Sequence, residues 1–151
     1  MKLGFIKVNG GLAPFDDEAM VWFTKQKFGT IIRMDFSAMR NGKFFRKWWA
    51  LVKYAFDNWD APQVETKFGV AQVSFDRFRK DMIIFAGFYH VVVRADGSTR
   101  IEADSLKWGK MTEGSFDELY KNTVQAILTH VLDTHDEAAI ELAMNEMAGF
   151  W

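Results

Sequence analysis

The chain has no cysteine among its 151 residues. This excludes a disulfide framework and any Cys-based zinc site, and it is compatible with a reducing cytoplasm. No run of about 18 or more apolar residues occurs, so no transmembrane helix is expected. The opening MKLGFIKVNGG carries too short an apolar run for a signal peptide. The only Gly-rich turn, Asn9-Gly10-Gly11, lacks the phosphate-loop pattern, and no nucleophile elbow, zinc signature or dinucleotide fingerprint is present. Internal repeats, linkers and low-complexity segments are also lacking. The histidines point to no chemistry either. His90 alternates with valines and reads as a packed or edge residue. His130 and His135 are five apart, on different faces of a helix, where they cannot form a metal pair. Asp133 and Asp136 read as helix-end caps. The expectation is a non-enzymatic protein without catalytic residues, metal or cofactor. A magnesium-dependent nuclease built on scattered carboxylates ranks last among the functional readings.

The length fits one domain, 1–151, and suffices for a real core without staples. Apolar residues make up 49% and charged residues 26%, the balance of an ordinary soluble globular protein. Six tryptophans exceed what a core of this size needs, so some are expected to face a partner. The net charge of −1 hides an asymmetry: residues 113–151 carry eight acids and one base, a net −7, against +6 over residues 1–112. Such a chain can draw an anion to one face and repel it from another.

Local patterning gives the element order. Leu3 to Val8 reads as a strand, followed by the Asn-Gly-Gly turn. Pro14 with Asp16, Asp17 and Glu18 opens a helix running to about Lys27, the acids favouring the helix dipole. Thr30 to Phe36 is β-branched and reads as a second strand. A long amphipathic helix is predicted from Ser37 to Trp59, ended by Asp60-Ala61-Pro62. Residues 60–73 read as a loop. Ser74 caps a helix to about Ala86. Phe88 to Arg94 and Ser98 to Ala103 form a hairpin around Asp96-Gly97. Ser115-Phe116-Asp117-Glu118 fits a capping box before a helix with apolar residues at helical spacing. Asp136 to about Ala148 is a last, acidic helix. The sum is α+β: a small mixed or antiparallel sheet of about four strands, a long central helix, and an acidic helical C-terminal part from about residue 113.

The central segment MRNGKFFRKWWALVKYAFDNW holds five cations, Arg40, Lys43, Arg46, Lys47 and Lys53, and no acid before Asp57. On a helical wheel, Phe44, Phe45, Trp48, Trp49, Leu51, Val52, Ala55, Phe56 and Trp59 share an arc of about 160°. Most of these aromatics are therefore core. The cations occupy the other side, with Tyr54 among them and Trp49 and Phe56 at the border. A solvated helix face usually mixes signs to gain i,i+4 pairs, so a purely cationic row points to an anion-binding face. Cations beside stackable rings suit single-stranded nucleic acid. The candidate nucleic-acid-binding set is Arg40, Asn41, Lys43, Arg46, Lys47, Trp49, Lys53 and Tyr54. The terminal Phe150 and Trp151 are the candidate partner-binding residues, alongside the alternative that they pack on their own fold or on a second subunit.

The order FIKVNGGLAPFDDEA, MRNGKFFRKWWALVKYAFDNW, AGFYHVVVRADGSTRIEADSLKW and FDELYKNTVQAILTHVL resembles a family of tailed-phage and prophage proteins from the recombination and replication region. The likeness spans nearly the whole chain and departs around residues 60–73, where family members carry a longer insertion. The run from Arg40 to Ala50, with Arg46-Lys47-Trp48 at its centre, is also similar to a helix of the lambdoid phage Orf (NinB) recombination mediators. Those proteins bind single-stranded DNA, act with the host single-strand-binding protein and form homodimers. The resemblances imply a phage-encoded DNA-binding accessory protein in the bacterial cytoplasm. They imply a homodimer that prefers single strands, with a possible host protein partner and no membrane. The alternative is an inhibitor of a host defence or nucleic-acid-processing system, presenting the acidic C-terminal helices to a host enzyme.

Overall fold

The computed structural model describes residues 2–35 and 41–147. The chain divides into two compact units, Met1–Ser37 and Ala38–Trp151. The class is α+β, as the patterning predicts, but the strands do not assemble into one sheet. They form three separate two-stranded antiparallel hairpins.

In the first unit, β1 (Phe5–Val8) pairs with β2 (Gly11–Pro14), with Phe5 opposite Pro14 and Val8 opposite Gly11. α1 (Asp17–Thr24) follows directly. Asp16 ties the two together. Its Oδ1 accepts from the Ala19 amide at 2.7 Å, capping the helix, and its Oδ2 accepts from the Gly4 amide at 2.8 Å. Position 4 has to be glycine, since a Cβ there would sit 2.4 Å from Asp16 Oδ2. The expected strand over Thr30 to Phe36 is absent over residues 30–35, and Phe36 lies outside the described residues. Neither β1 nor β2 pairs with this run, and a strand without a partner leaves its amides unsatisfied.

The second unit is organised around α2 (Gly42–Asp57). The expected start at Ser37 lies outside the described residues, and Asn41, with ψ of 45°, is the non-helical residue before the first turn. The segment read as a loop over residues 60–73 contains a minimal hairpin, β3 (Glu65–Thr66) with β4 (Gly69–Val70). α3 (Phe75–Phe85) starts as predicted at Ser74, whose hydroxyl accepts from the Arg77 amide at 3.3 Å. β5 (Tyr89–Val93) and β6 (Thr99–Ala103) form the predicted hairpin. Asp96 Oδ1 accepts from the Ser98 amide at 2.9 Å and hydroxyl at 2.6 Å. Those two donors, the hydroxyl first, hold its carboxyl below the usual range. A 3-10 turn (Trp108–Lys110) leads to α4 (Glu113–His130), and α5 (Glu137–Met147) closes the described chain. The capping box at Ser115 is not the start of α4. Thr112 is the cap, its Oγ1 accepting from the Ser115 amide at 3.1 Å. The sequence signal was displaced by three residues because Ser115 lies inside the first turn.

The apolar arc of α2 is the core of this unit. Phe45, Trp48, Leu51, Val52 and Ala55 are buried. Phe44 stacks on Phe116 of α4 with ring centroids 4.4 Å apart. Phe56 meets Phe75 and Phe78 of α3 edge-on, both at 5.3 Å. Phe45 and Trp48 close on Trp108 at 5.5 and 5.6 Å. The buried Trp48 indole donates to Thr123 Oγ1 at 2.9 Å, and that hydroxyl donates onward to the Leu119 carbonyl at 2.7 Å. The tryptophans are thus used differently from expectation. None of the five described is exposed: an aromatic cluster around α2 and the 3-10 turn absorbs Trp48, Trp49, Trp59 and Trp108, and Trp22 on α1 is half-buried. Trp151 lies outside the described residues.

Thr123→Val preserves shape but strands the buried indole N–H, and should cost about 1–3 kcal/mol. Thr112→Ala should cost about 1 kcal/mol through the lost cap. Urea unfolding of both variants checks the two figures, and an unchanged midpoint in Thr123→Val contradicts the buried bond.

Candidate functional site

α2 buries one side against α3, α4 and the 3-10 turn and leaves the other to solvent. Helix geometry places Lys43, Arg46, Lys47, Lys53 and Tyr54 within about 120° of one another around the axis. Lys43 and Arg46 are exposed, and neither forms an ion pair among the described residues. A Cβ on Gly42 would lie 3.1 Å from Arg46 Nη1, so this guanidinium folds back over the first turn, close to Lys43. That turn contains no acid, whereas α1, α3, α4 and α5 each start with one or two: Asp17 and Glu18, Asp76, Glu113, and Glu137. Cations at a helix N-terminus oppose the macrodipole. The start of α2 is therefore a concentration of positive charge that nothing on its own helix offsets before Asp57.

The other members of the row sit at the seams between helices. Lys47 is half-buried, its ammonium 4.6 Å from the Tyr120 ring centroid and 5.9 Å from that of Phe116 on α4. Lys53 pairs with Asp57 at 2.8 Å and lies 5.3 and 5.2 Å from the Phe56 and Phe75 rings. Tyr54 is half-buried between them, and no ring among the described residues stacks on it. Trp49 is half-buried and committed to its own cluster, 5.7 Å from Phe45 and 5.1 Å from Phe75, which removes it as a free stacking platform. Asn41 also has a structural task. Its side-chain amide donates to the Trp108 carbonyl at 3.0 Å and the Met111 carbonyl at 2.7 Å, pinning the start of α2 to the 3-10 turn. Arg40, Phe150 and Trp151 lie outside the described residues.

Beside Lys47 opens a groove of about 340 Å³ between α4 and α5. Val124, Ile140 and Met144 contribute its apolar surface, and Lys121, Glu137 and Glu141 its charges. Gln125 of α4 donates to Glu137 of α5 across it. Burial first, and then the Glu141 carboxylate, push the Tyr120 phenol up to about 12. The acidic C-terminal part thus borders the Lys47 end of the cationic face. Two of the three histidines are engaged elsewhere: His90 Nδ1 lies 2.8 Å from Asp104 Oδ1, and His130 stacks on Phe85 at 4.2 Å. No three His, Asp or Glu side chains converge as a metal site would require among the described residues. Nor is any described helix long and apolar enough to cross a membrane.

A second positive surface was missed by the sequence reading. Arg77 of α3 and Arg94 and Arg100 of the β5–β6 hairpin line one groove of about 660 Å³. These arginines are scattered in sequence and carry no periodic signal; only the packing of α3 along β6 brings them together.

The fold and this face define a small α+β protein with a solvent-facing cationic helix. The model of the family described as "Protein of unknown function (DUF1367)" matches residues 1–66 and 61–150, and the chain belongs to that family. The two matched stretches overlap at residues 61–66. No curated protein and no solved structure matches the chain.

The phenol gives a pH prediction. Tyr120 holds its proton more tightly folded, with a value near 12 against 10 for an ordinary phenol. Its contribution to stability is complete below pH 10 and is lost as pH rises toward 12. An absorbance titration at alkaline pH should show one late-ionising tyrosine that disappears in Tyr120→Phe. Simultaneous ionisation of all tyrosines in the folded protein contradicts it.

Proposed function

We propose that this protein is a phage-encoded, non-enzymatic accessory factor that binds single-stranded DNA through the exposed face of α2. The carrying observation is the first turn of that helix, where Lys43 and Arg46 stand exposed, without ion-pair partners among the described residues, at a positive helix end. Phosphate placed there relieves both the dipole mismatch and the mutual repulsion of the cations. Lys47 and Lys53 flank the strip on either side, and Tyr54 offers a ring for a base, worth roughly 1–3 kcal/mol if engaged. Trp49 and Asn41 act in this reading as supports that hold the helix rather than as contacts. The likeness to phage recombination proteins, which falls on the same helix, supports the assignment to recombination or replication in the bacterial host cell.

The groove between α4 and α5 favours a protein partner there, either a second copy or a host protein, because its lining sets Val124, Ile140 and Met144 among charges of both signs, Lys47 and Lys121 against Glu137 and Glu141. If that groove is instead the main working surface, the protein acts as an inhibitor of a host nucleic-acid-processing enzyme. A pull-down from nuclease-treated host lysate separates the two. One stoichiometric host partner together with no DNA affinity favours the inhibitor.

Each phosphate neutralised on a single strand contributes about 0.7 to the slope of log affinity against log salt. The Lys43→Gln/Arg46→Gln variant should lower that slope by about 1.4 and leave the urea midpoint nearly unchanged. Fluorescence anisotropy on a labelled oligothymidylate across a salt series reads it. Binding that ignores salt, or that is identical in the variant, rules the proposal out.

A further inference from the structure

We infer that the groove between α3 and β6 is a second phosphate-binding track for single-stranded nucleic acid, with the exposed face of the β5–β6 hairpin receiving the bases. It rests on the α2 reading for the class of ligand alone, since none of its residues belongs to α2.

The groove, of about 660 Å³, is lined by Arg77, Arg94 and Arg100, with Asp81 as its one carboxylate and Ile84 and Ile101 as its apolar part. Thr99, Arg100 and Ile101 are consecutive in β6, and all three line it. Both faces of the strand therefore contribute, and the groove runs along the strand's edge. Each guanidinium is already aimed. Arg77 holds Asp81 Oδ1 through Nε at 3.0 Å and Nη2 at 2.8 Å. Arg94 reaches across the turn through Nη1 to Ser98 Oγ at 3.2 Å and the Thr99 carbonyl at 3.1 Å. Arg100 Nη2 lies 3.0 Å from Glu102 Oε1. A guanidinium carries five N–H donors in a rigid fork. One local partner fixes its direction and leaves donors for a phosphate oxygen, so little side-chain freedom remains to be lost on binding. Three guanidiniums against two carboxylates, Asp81 and Glu102, leave an excess of positive charge and free N–H donors for a polyanion.

The hairpin supplies the other half of a nucleotide's chemistry. Its register sets Val91 opposite Ile101 and Val93 opposite Thr99, with Tyr89 two residues further along. Tyr89, Val91, Val93 and Ile101 therefore share one face, at 48%, 60%, 74% and 50% exposure. This face runs for roughly 13 Å. Thr99 and Ile101 belong to both the face and the groove, so a phosphate held by the arginines leaves its base directed over apolar surface ending at an exposed phenol ring. A small anion would use the arginines and ignore the face. A single strand uses both, because every base has a π-face to lay on it.

The test is anisotropy with two labelled probes, an oligothymidylate and an abasic strand with the same backbone. Arg94→Gln/Arg100→Gln should lower the salt slope by about 1.4 on both probes. Tyr89→Ala should weaken the oligothymidylate several-fold and leave the abasic strand unaffected. In the unmutated protein, the Arg94 and Arg100 Nε–H resonances should shift on titration with oligothymidylate, a readout that needs no variant to fold. Unmoved resonances at saturation overturn the inference. So does equal displacement of the probe by polyglutamate, or by inorganic phosphate at matched phosphate concentration. Loss of binding in the α2 variant with none in the groove variants overturns the groove alone. The reverse pattern overturns the α2 reading and leaves the groove standing.

Discussion

The second unit depends on burying Trp48 with its indole N–H satisfied. The side chain is enclosed, and its single donor finds Thr123, a fully buried threonine on a helix 75 residues away in sequence. A stranded donor there would cost about 1–3 kcal/mol, a large part of a small domain's net stability. That one bond fixes both the rotation of α2 about its axis and its depth against α4. Once the rotation is fixed, Phe44 must meet Phe116, Phe56 must meet α3, Lys47 and Lys53 fall over the seams with α4 and α3, and Lys43 and Arg46 are left to solvent. The positive strip is thus a consequence of core packing as much as a feature in its own right.

The flanking lysines show how the core shapes the face. Lys47 and Lys53 project over seams where α4 and α3 present aromatic rings, so they cover apolar surface with their stems while keeping their charges near water. The centre of the strip has no such neighbours, and Lys43 and Arg46 stand clear. On one flank, past Lys47, lies the α4–α5 groove, where Lys121 is joined by Glu137 and Glu141. On the β6 side of α3, the Arg77, Arg94 and Arg100 groove offers a second positive track. Under the proposed reading, a single strand would be steered along these positive surfaces without any base-specific contact.

Much of this was legible in the chain because local signals and global packing agree. The α2 periodicity identified the buried arc, and Ser74 and Asp96-Gly97 marked a helix start and a hairpin turn where the structure has them. Failures came where local signals compete. Thr30 to Asp35 has strand propensity but pairs with no other strand. Ser115 mimics a cap inside a helix already capped by Thr112. The surplus of tryptophan suggested partner contacts, yet the aromatic cluster takes up four of them. For the site, the wheel separated cations from core correctly. It could not reveal that Asn41 and Trp49 are engaged in tertiary contacts, because those partners, Trp108, Met111 and Phe75, lie in distant segments. The arginine groove was invisible for the same reason.

Residue-resolved lysine footprinting most directly tests the claim that the α2 face carries the ligand. Acetylation rates are measured by mass spectrometry with and without saturating single-stranded oligonucleotide at low salt. The account predicts strong protection of Lys43, weaker protection of Lys47 and Lys53, and none of Lys121 in the α4–α5 groove. Equal acetylation of Lys43 with and without the strand, or protection confined to Lys121, would contradict it.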